Sequence, residues 1–590
     1  MKKQFGLPLM LASALAFSAC SSDDVAEKGN GSLTDFSNGG YVKMAINMPT
    51  VKSSEGAFKG VNDDYQNGKP EEYAVNNTTV IMFQGNNEND AIFHSAYDIN
   101  KTWTPTTGQI SSTLQLTKKV NETAIGSNLY ALVIVNNNAL LNVEPDHSLK
   151  VGGVKFNGNF TDFKNKLATA ENVSATKFSG NGLFMANAPL SKGIGGSAAS
   201  AGPVTTLVNL SSDVYPTESA AEAAPAAYIY VERGVAKVTF VNPKTDEKFK
   251  TDAFSNGQDV VPVTYTMDGW SLDITNTNSY LVRHVNPKWN AYKTDITPTT
   301  GAIEKPFRFV GNTVVNDGLY RTYWAEDPNY SSTPSDAFNK VTNVDDINKP
   351  FGEDNPLYCL ENTFDVDHQK QDATTRAIVR VKVKINGAEG DFYTVNGGKT
   401  TLYSKDNLDK LVKNAIITNS DVVAANGGTA PNATGITLSY SDLGDNVQKV
   451  AGITLTLADG SLLSAKTNYN DILTAVNDAV KDITKYADGY VYYPVRIKHF
   501  GDELTPWAQA YDSNITGTTI YPATNKEERY LGRYGVVRNN WYELEVNSIK
   551  GIGYAVIPPS KDNPDDVLDQ YISVKINILS WAKRTQSEKL

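Results

Sequence analysis

Cysteine is almost missing from this chain. Only Cys20 and Cys359 occur in 590 residues, and Cys20 closes an apolar leader. With the leader's cysteine set apart, no intramolecular disulfide is open to the mature chain, so its stability must come from packed cores. Excess positive charge is missing too. Lysine and arginine number 54 against 65 acidic residues, a formal net charge of -11 with no basic patch, which excludes nucleic acid as a partner. Histidine is scarce: His94, His147, His284, His368 and His499 lie far apart, without metal-ligand spacing. Cys359 has no CxxC partner, and no G-x-S-x-G nucleophile turn occurs. Gly193-Ile194-Gly195-Gly196 lacks the strand-to-helix setting of a nucleotide-binding loop, and Asp365-Val366-Asp367-His368 is too short for a calcium or zinc pattern. Both read as turns. The expectation is a protein that is no enzyme, with no catalytic site, no cofactor and no metal. After the leader no apolar run is long enough to span a bilayer.

What is present favours strands. Hydrophobic residues make up 40 %, charged residues 20 %, and the 30 tyrosines and 21 phenylalanines come with many valines and threonines. The length predicts at least two domains. The first residues are a targeting segment: Lys2 and Lys3, then FGLPLMLASALAFSA, then Cys20. Small residues before the cysteine resemble a bacterial lipobox, with Phe17 where leucine is commonest. Lipidation is therefore expected at Cys20, with an ordinary secretory signal as the alternative. Ser21-Ser22-Asp23-Asp24 resembles the acidic tag that routes lipoproteins to the surface in Bacteroidetes-type bacteria.

The pass along the chain gives a signal peptide over 1–19 and a polar, glycine-rich tether over 20–40. A first strand and cleavage loop over 41–60 would form a propeptide, and the exposed loop that composition predicts runs on from Val51 to Glu72. An N-terminal β-sandwich is placed at 61–245, a C-terminal β-sandwich at 246–560, and a linker with a last strand at 561–590. Short strands separated by Gly, Asn, Asp and Pro turns predict the sandwiches. The alanine-rich piece from Glu218 reads as a loose linker that enters a strong strand over 227–241. Helices are expected near 160 and over 470–483, where Ile472, Leu473, Val476 and Val480 share a stripe.

Two strands at opposite ends of the chain alternate with a period of two. Val42, Met44, Ile46 and Met48 are apolar in one; Ile572, Val574, Ile576 and Ile578 in the other. Burying four such side chains stabilises by roughly 6–12 kcal/mol gross. Left open, either face would aggregate. The last strand follows a proline- and aspartate-rich tether, IPPSKDNPDDVLDQ. Two readings remain open: it closes its own sheet, or it enters a neighbour's sheet in place of a displaced first strand, by strand addition. In the second, donor and groove lie on different surfaces, so the contact is head-to-tail and builds a filament.

Several segments resemble the Bacteroidales fimbrillins, the type V pilins, and among them the major shaft subunit of short (minor) fimbriae. Val231 to Lys237 (VERGVAK) resembles the family's VER-x-x-A-[RK] strand. Tyr358-Cys359-Leu360-Glu361-Asn362-Thr363 resembles its EN motif, and Tyr534 to Tyr542 (YGVVRNNWY) its VVRNN-x-Y segment. Ile572 to Trp581 resembles the closing strand, with Ser580 where proline is usual. The motifs come in family order over essentially the whole mature chain. The resemblance implies two transthyretin-like β-sandwich domains. It implies an outer-membrane lipoprotein precursor, lipidated (palmitate) at Cys20 and trimmed by a surface protease after the first strand. Donor-strand exchange would then join it to copies of itself in a cell-surface fimbrium. Accessory anchor and tip pilins, and host or bacterial surface ligands in adhesion, aggregation or biofilm, are the other implied partners. Trimming in the family follows an arginine. No arginine precedes Arg233, and the loop offers Lys52 and Lys59 as cleavage candidates, with Lys69 beyond. The alternatives are a tip or anchor subunit of the same pilus, or a glycan-binding surface lipoprotein. Within VER, Glu232 and Arg233 read as a cross-strand charge pair or turn determinant, and Arg538-Asn539-Asn540 as a strand entry.

Overall fold

One line of backbone runs through two sheets. Ala227–Arg233 and Val235–Val241 are both strands, with Gly234 alone between them. The first lies in a nine-stranded sheet and the second in a four-stranded one. The computed structural model describes residues 40–47, 69–99, 109–116, 128–169, 182–191, 204–241, 261–285, 310–315, 319–322, 325–330, 337–363, 368–499, 534–560 and 572–580, with Ser255, Asp259 and Asp562. The fold is mainly β, in several sheets.

In the nine-stranded sheet the order is Val214–Tyr215, Gly40–Asn47, Ala227–Arg233, Met185–Asn187, Asn128–Val135, Thr78–Gly85 and Ile92–Ile99. Its core gathers Val42, Met44 and Ile46 with Val80, Met82, Leu132 and Ile134. Phe83, Phe156, Phe160 and Phe163 meet edge to face beside it. The second core lies between two facing sheets. One holds Leu357–Leu360, Val235–Val241, Asn540–Ile549 and Ile572–Ser580; the other holds Val263–Asp273, Arg376–Ile385 and Tyr490–Arg496. Alternate residues point inward, such as Ala236, Val238 and Phe240 against Val379, Val381 and Val383. The change from first to second core falls between Val235 and Ala236.

A third core sits within the second half of the chain. The sheet of Phe392–Thr394, Ile483–Tyr486, Val447–Thr454 and Thr437–Asp442 packs against the helices Lys405–Ile417 and Tyr469–Ala479. The expected helix over 470–483 ends earlier: Val480 caps it and Ile483 already opens a strand. The helix Lys405–Ile417 was not expected, although Leu408, Val412 and Ile416 form a buried stripe four residues apart. Two further expectations are corrected. The alanine-rich linker is a helix, Glu218–Ala223, capped by Thr217. The tail of the exposed loop is also helical, Pro70–Tyr73, and buries Glu72. Among the described residues no helix is long and apolar enough to cross a membrane.

Candidate functional site

The first strand is sealed on both edges. Gln109–Leu116 runs antiparallel along its full length, from Gly40 opposite Leu116 to Asn47 opposite Gln109. On the other edge Tyr41 and Val42 pair with Tyr215 and Val214, and Met44 to Asn47 pair in parallel with Ala227 to Tyr230. Its alternation then does what the pattern requires: Val42, Met44 and Ile46 are 0 %, 1 % and 4 % exposed in the core. Three such side chains contribute about 5–9 kcal/mol gross. Taken out, the strand would leave a slot with backbone donors and acceptors on both walls and an apolar floor. Across the opposite face lies the helix Glu218–Ala223, which packs on the first strand, on Gln109–Leu116 and on Val214–Tyr215.

Ile572–Ser580 lies at the edge of the four-stranded sheet, antiparallel to Asn540–Ile549. Ile578, Ile576, Val574 and Ile572 stand opposite Tyr542, Leu544, Val546 and Ile549. The two end strands thus occupy different sheets of the same chain. Met48, Cys20, Lys52 and Lys59 lie outside the described residues, as do the tether and most of the loop. Lys69, at the loop's end, is tied down: its Nζ donates to the Asp354 carbonyl at 2.9 Å.

The second locus is where the cores meet, and it gathers the sequence motifs from 231–237, 358–363 and 534–542. Glu72, Glu232, Glu361, Arg233, Lys237, Arg283 and Arg538 are each at most 5 % exposed. Charges so placed persist only if paired. Lys237 Nζ sits 2.8 Å from Glu72 Oε1 and 3.8 Å over the Trp541 ring. The Tyr358 hydroxyl donates to the same carboxylate, and Arg233 Nε donates to the Glu72 carbonyl at 2.9 Å. Arg283 Nη2 is 2.8 Å from Glu232 Oε2, and Arg283 Nε is 3.6 Å from Glu361 Oε2. Arg538 closes the far side, donating from Nε to Glu361 Oε1 at 3.2 Å and from Nη2 to Ser279 Oγ at 2.7 Å. Asn539 has φ +61°, a left-handed turn that asparagine tolerates. Its amide donates to the Val235 carbonyl at 2.8 Å and its Oδ1 accepts from Arg233 Nη1 at 3.2 Å.

Glu232 and Arg233 each reach a different part of the chain, Glu232 to Arg283 and Arg233 to Glu72 and Asn539. Arg538-Asn539-Asn540 does lead into a strand, Asn540–Ile549, and also spans the junction. Sequence reasoning missed Arg283 and Glu72. Arg283 had a signal, since it interrupts the apolar run Leu281-Val282. Glu72 had none. Asp327 was missed as well: it accepts from Asn276 and from the Asn329 amide, and burial pushes its carboxyl up to about 6.

Burial alone would raise the Glu72 carboxyl, but the Lys237 ammonium, the Tyr358 hydroxyl and the Lys69 amide hold it below the usual range. A folded pKa below the unfolded one adds stability above the ordinary value of 4.5, lost as pH falls through the lower one. The urea midpoint is therefore expected to drop on acidification below that value, and Glu72→Gln to remove part of the drop. Equal acid slopes for both proteins would show that Glu72 is not held as an ion.

The histidines are used locally. His499 Nδ1 is 2.6 Å from the Tyr542 hydroxyl, His284 stacks on Tyr280 at 3.9 Å, and His147 lies 4.6 Å from the Tyr97 ring. No group of three or more metal-ligating side chains occurs among the described residues. The Cys359 thiol is pushed up to about 12 by burial, which keeps it a thiol at neutral pH.

The segment that holds the terminal strand and its sheet partner has a counterpart. Residues 514–587 match the family model described as major fimbrial subunit protein type IV, fimbrillin, C-terminal. This segment is thus similar to a fimbrillin C-terminal domain. The matched residues include Arg538, Asn539, Asn540–Ile549 and Ile572–Ser580. Among solved structures the chain is similar to a fimbrilin (FimA) of Porphyromonas gingivalis, at 11 % identity and TM-score 0.35 over 92 % of this chain and 98 % of that one. It is similar to the tip fimbrial protein Mfa3 of the same organism, at 10 % identity and TM-score 0.28 over 92 % and 100 %. It is also similar to the fimbrial anchor protein Mfa2, at 11 % identity and TM-score 0.21 over 71 % and 98 %. No curated protein matches the chain in sequence.

Proposed function

We propose that the chain is a structural subunit of a cell-surface pilus, exported as a precursor lipidated at Cys20 and joined to its neighbours by strand exchange. The observation that carries this reading is the first strand, paired along all eight residues on one edge and over 41–42 and 44–47 on the other, and joined to the rest of the chain through residues 48–68. The fimbrillin segment supports the same reading. A cut at Lys52 or Lys59 would leave the first strand held without a covalent link, while Lys69 and Glu72 remain tied to the rest of the chain. The terminal strand of the next copy, with its apolar face of Ile572, Val574, Ile576 and Ile578, would then take the slot left by the first strand with its face of Val42, Met44, Ile46 and Met48. The filament is a head-to-tail homopolymer that also meets anchor and tip pilins and surface ligands. A second reading has one observation in its favour: Ile572–Ser580 already pairs in its own sheet, as it would in an uncut, lipid-held anchor.

The N-terminal mass of protein taken from intact cell surfaces separates the two. A chain that begins between Ser53 and Gly60 and runs as a high-mass ladder unheated is the expected result. A monomer beginning at acylated Cys20 would leave the anchor or a plain surface lipoprotein.

A further inference from the structure

The two end strands share more than an apolar face. The first reads Val42-Lys43-Met44-Ala45-Ile46 and the last Val574-Lys575-Ile576-Asn577-Ile578. In each, a lysine sits between the first two of three inward positions. In the first strand that lysine has a defined partner. Lys43 Nζ donates to the Glu222 carbonyl at 2.8 Å and the Ala224 carbonyl at 3.3 Å. These carbonyls lie at the end of the helix Glu218–Ala223, where backbone acceptors lack helical partners and favour a cation. A helix of six residues does not hold its shape alone. It is ordered by the surface beneath it, and the first strand is the middle of that surface.

Alternation does not by itself choose a register for an incoming strand. A shift of two residues keeps the apolar face inward, and the last strand has four apolar positions for the slot's three described sites. The lysine does choose. With Val574 in the place of Val42, an ammonium falls at the carbonyls of Glu222 and Ala224. A shift of two either way puts Ser573 or Asn577 there instead. We propose that the terminal strand seats in a neighbouring copy with Lys575 in the place of Lys43. Val574, Ile576 and Ile578 then take the sites of Val42, Met44 and Ile46, and Lys575 is the positioning residue that sets the register. This rests on the strand-exchange reading. In its own sheet Lys575 stands opposite Glu545 in the register. One position changes size: Asn577 replaces Ala45, which is fully buried, so the helix above must ride outward by the bulk of an amide.

The register is readable by cross-linking. Ser111 stands opposite Ala45 in the antiparallel pair. Opposed antiparallel residues have Cα atoms about 4.5–5.5 Å apart, within disulfide reach. The full chain carrying Ser111→Cys and Asn577→Cys, trimmed in the loop by a lysine-specific protease and oxidised, should give a disulfide-linked ladder on a non-reducing gel. Ser111→Cys combined with Lys575→Cys or Leu579→Cys should give little. A ladder from either shifted pair with Asn577→Cys silent overturns the register and leaves strand exchange standing. Assembly without cross-links from any pair also overturns the register. No assembly of the trimmed, otherwise unaltered chain overturns strand exchange itself, and the register with it. In the Ser111→Cys, Asn577→Cys background, Lys575→Ala should lower the cross-link yield roughly two- to fivefold, from a charge at a helix end worth about 0.3–1 kcal/mol. Lys575→Arg should restore it. An unchanged yield with Lys575→Ala would remove the lysine's role.

Discussion

Deleting residues 571–590 is expected to abolish assembly while leaving a folded monomer. The terminal strand is an edge strand, paired on one side only among the described residues, and the three cores each hold many side chains from other segments. Its loss uncovers one edge of Asn540–Ile549, whose inward Tyr542, Leu544 and Val546 remain held by the facing sheet. Assembly has no such reserve. Four apolar side chains placed in a neighbour represent roughly 6–12 kcal/mol gross, and each 1.4 kcal/mol lost is a factor of about ten in association. Losing even half of that sum would weaken the joint more than a hundredfold. The ladder on unheated gels, and filaments by electron microscopy, should both vanish. A truncated protein that still polymerises would show that the strand only closes its own sheet.

The second large effect is at the junction. Glu361→Ala removes the carboxylate that both Arg283 and Arg538 face, leaving the buried Arg538 guanidinium short of a counter-charge while Arg283 keeps Glu232. Breaking a buried pair from one side typically costs about 3–5 kcal/mol, because the remaining charge stays desolvated. Urea unfolding should shift by that amount, and the N-terminal core should lose its coupling to the second. The two cores would then melt at separate midpoints in place of a shared one. A shift below about 1 kcal/mol would mean that water enters the junction and screens the arginines.

How far could such a site be read before folding? The apolar alternation of the end strands is local, so Val42, Met44 and Ile46 could be placed on a buried face from the sequence alone, and the described core contains all three. The mainly β fold was legible for the same reason. The motifs around Glu232, Glu361 and Arg538 stood out as strings, yet nothing in a string says that residues 232, 283, 361 and 538 meet. Their pairing is purely tertiary. The read-out failed where composition hides geometry. Alanine has no strong face, so Glu218–Ala223 looked like a linker, although Thr217 at its start is a proper cap. The stripe of Leu408, Val412 and Ile416 was readable in principle, but it sits amid strands that favour a sandwich throughout.

The uninterrupted run from Ala227 to Val241 has a mechanical meaning. In a filament under tension, the seated strand would pull along the axis of Ala227–Arg233, its parallel neighbour, loading the hydrogen bonds in shear. That pull passes through Gly234 into Val235–Val241 as covalent backbone, not across packed surfaces. There it reaches Asn540–Ile549, again a parallel neighbour, next to the strand offered to the following copy. Each subunit would carry force along one covalent path that bends at Gly234, where the buried charges pin it.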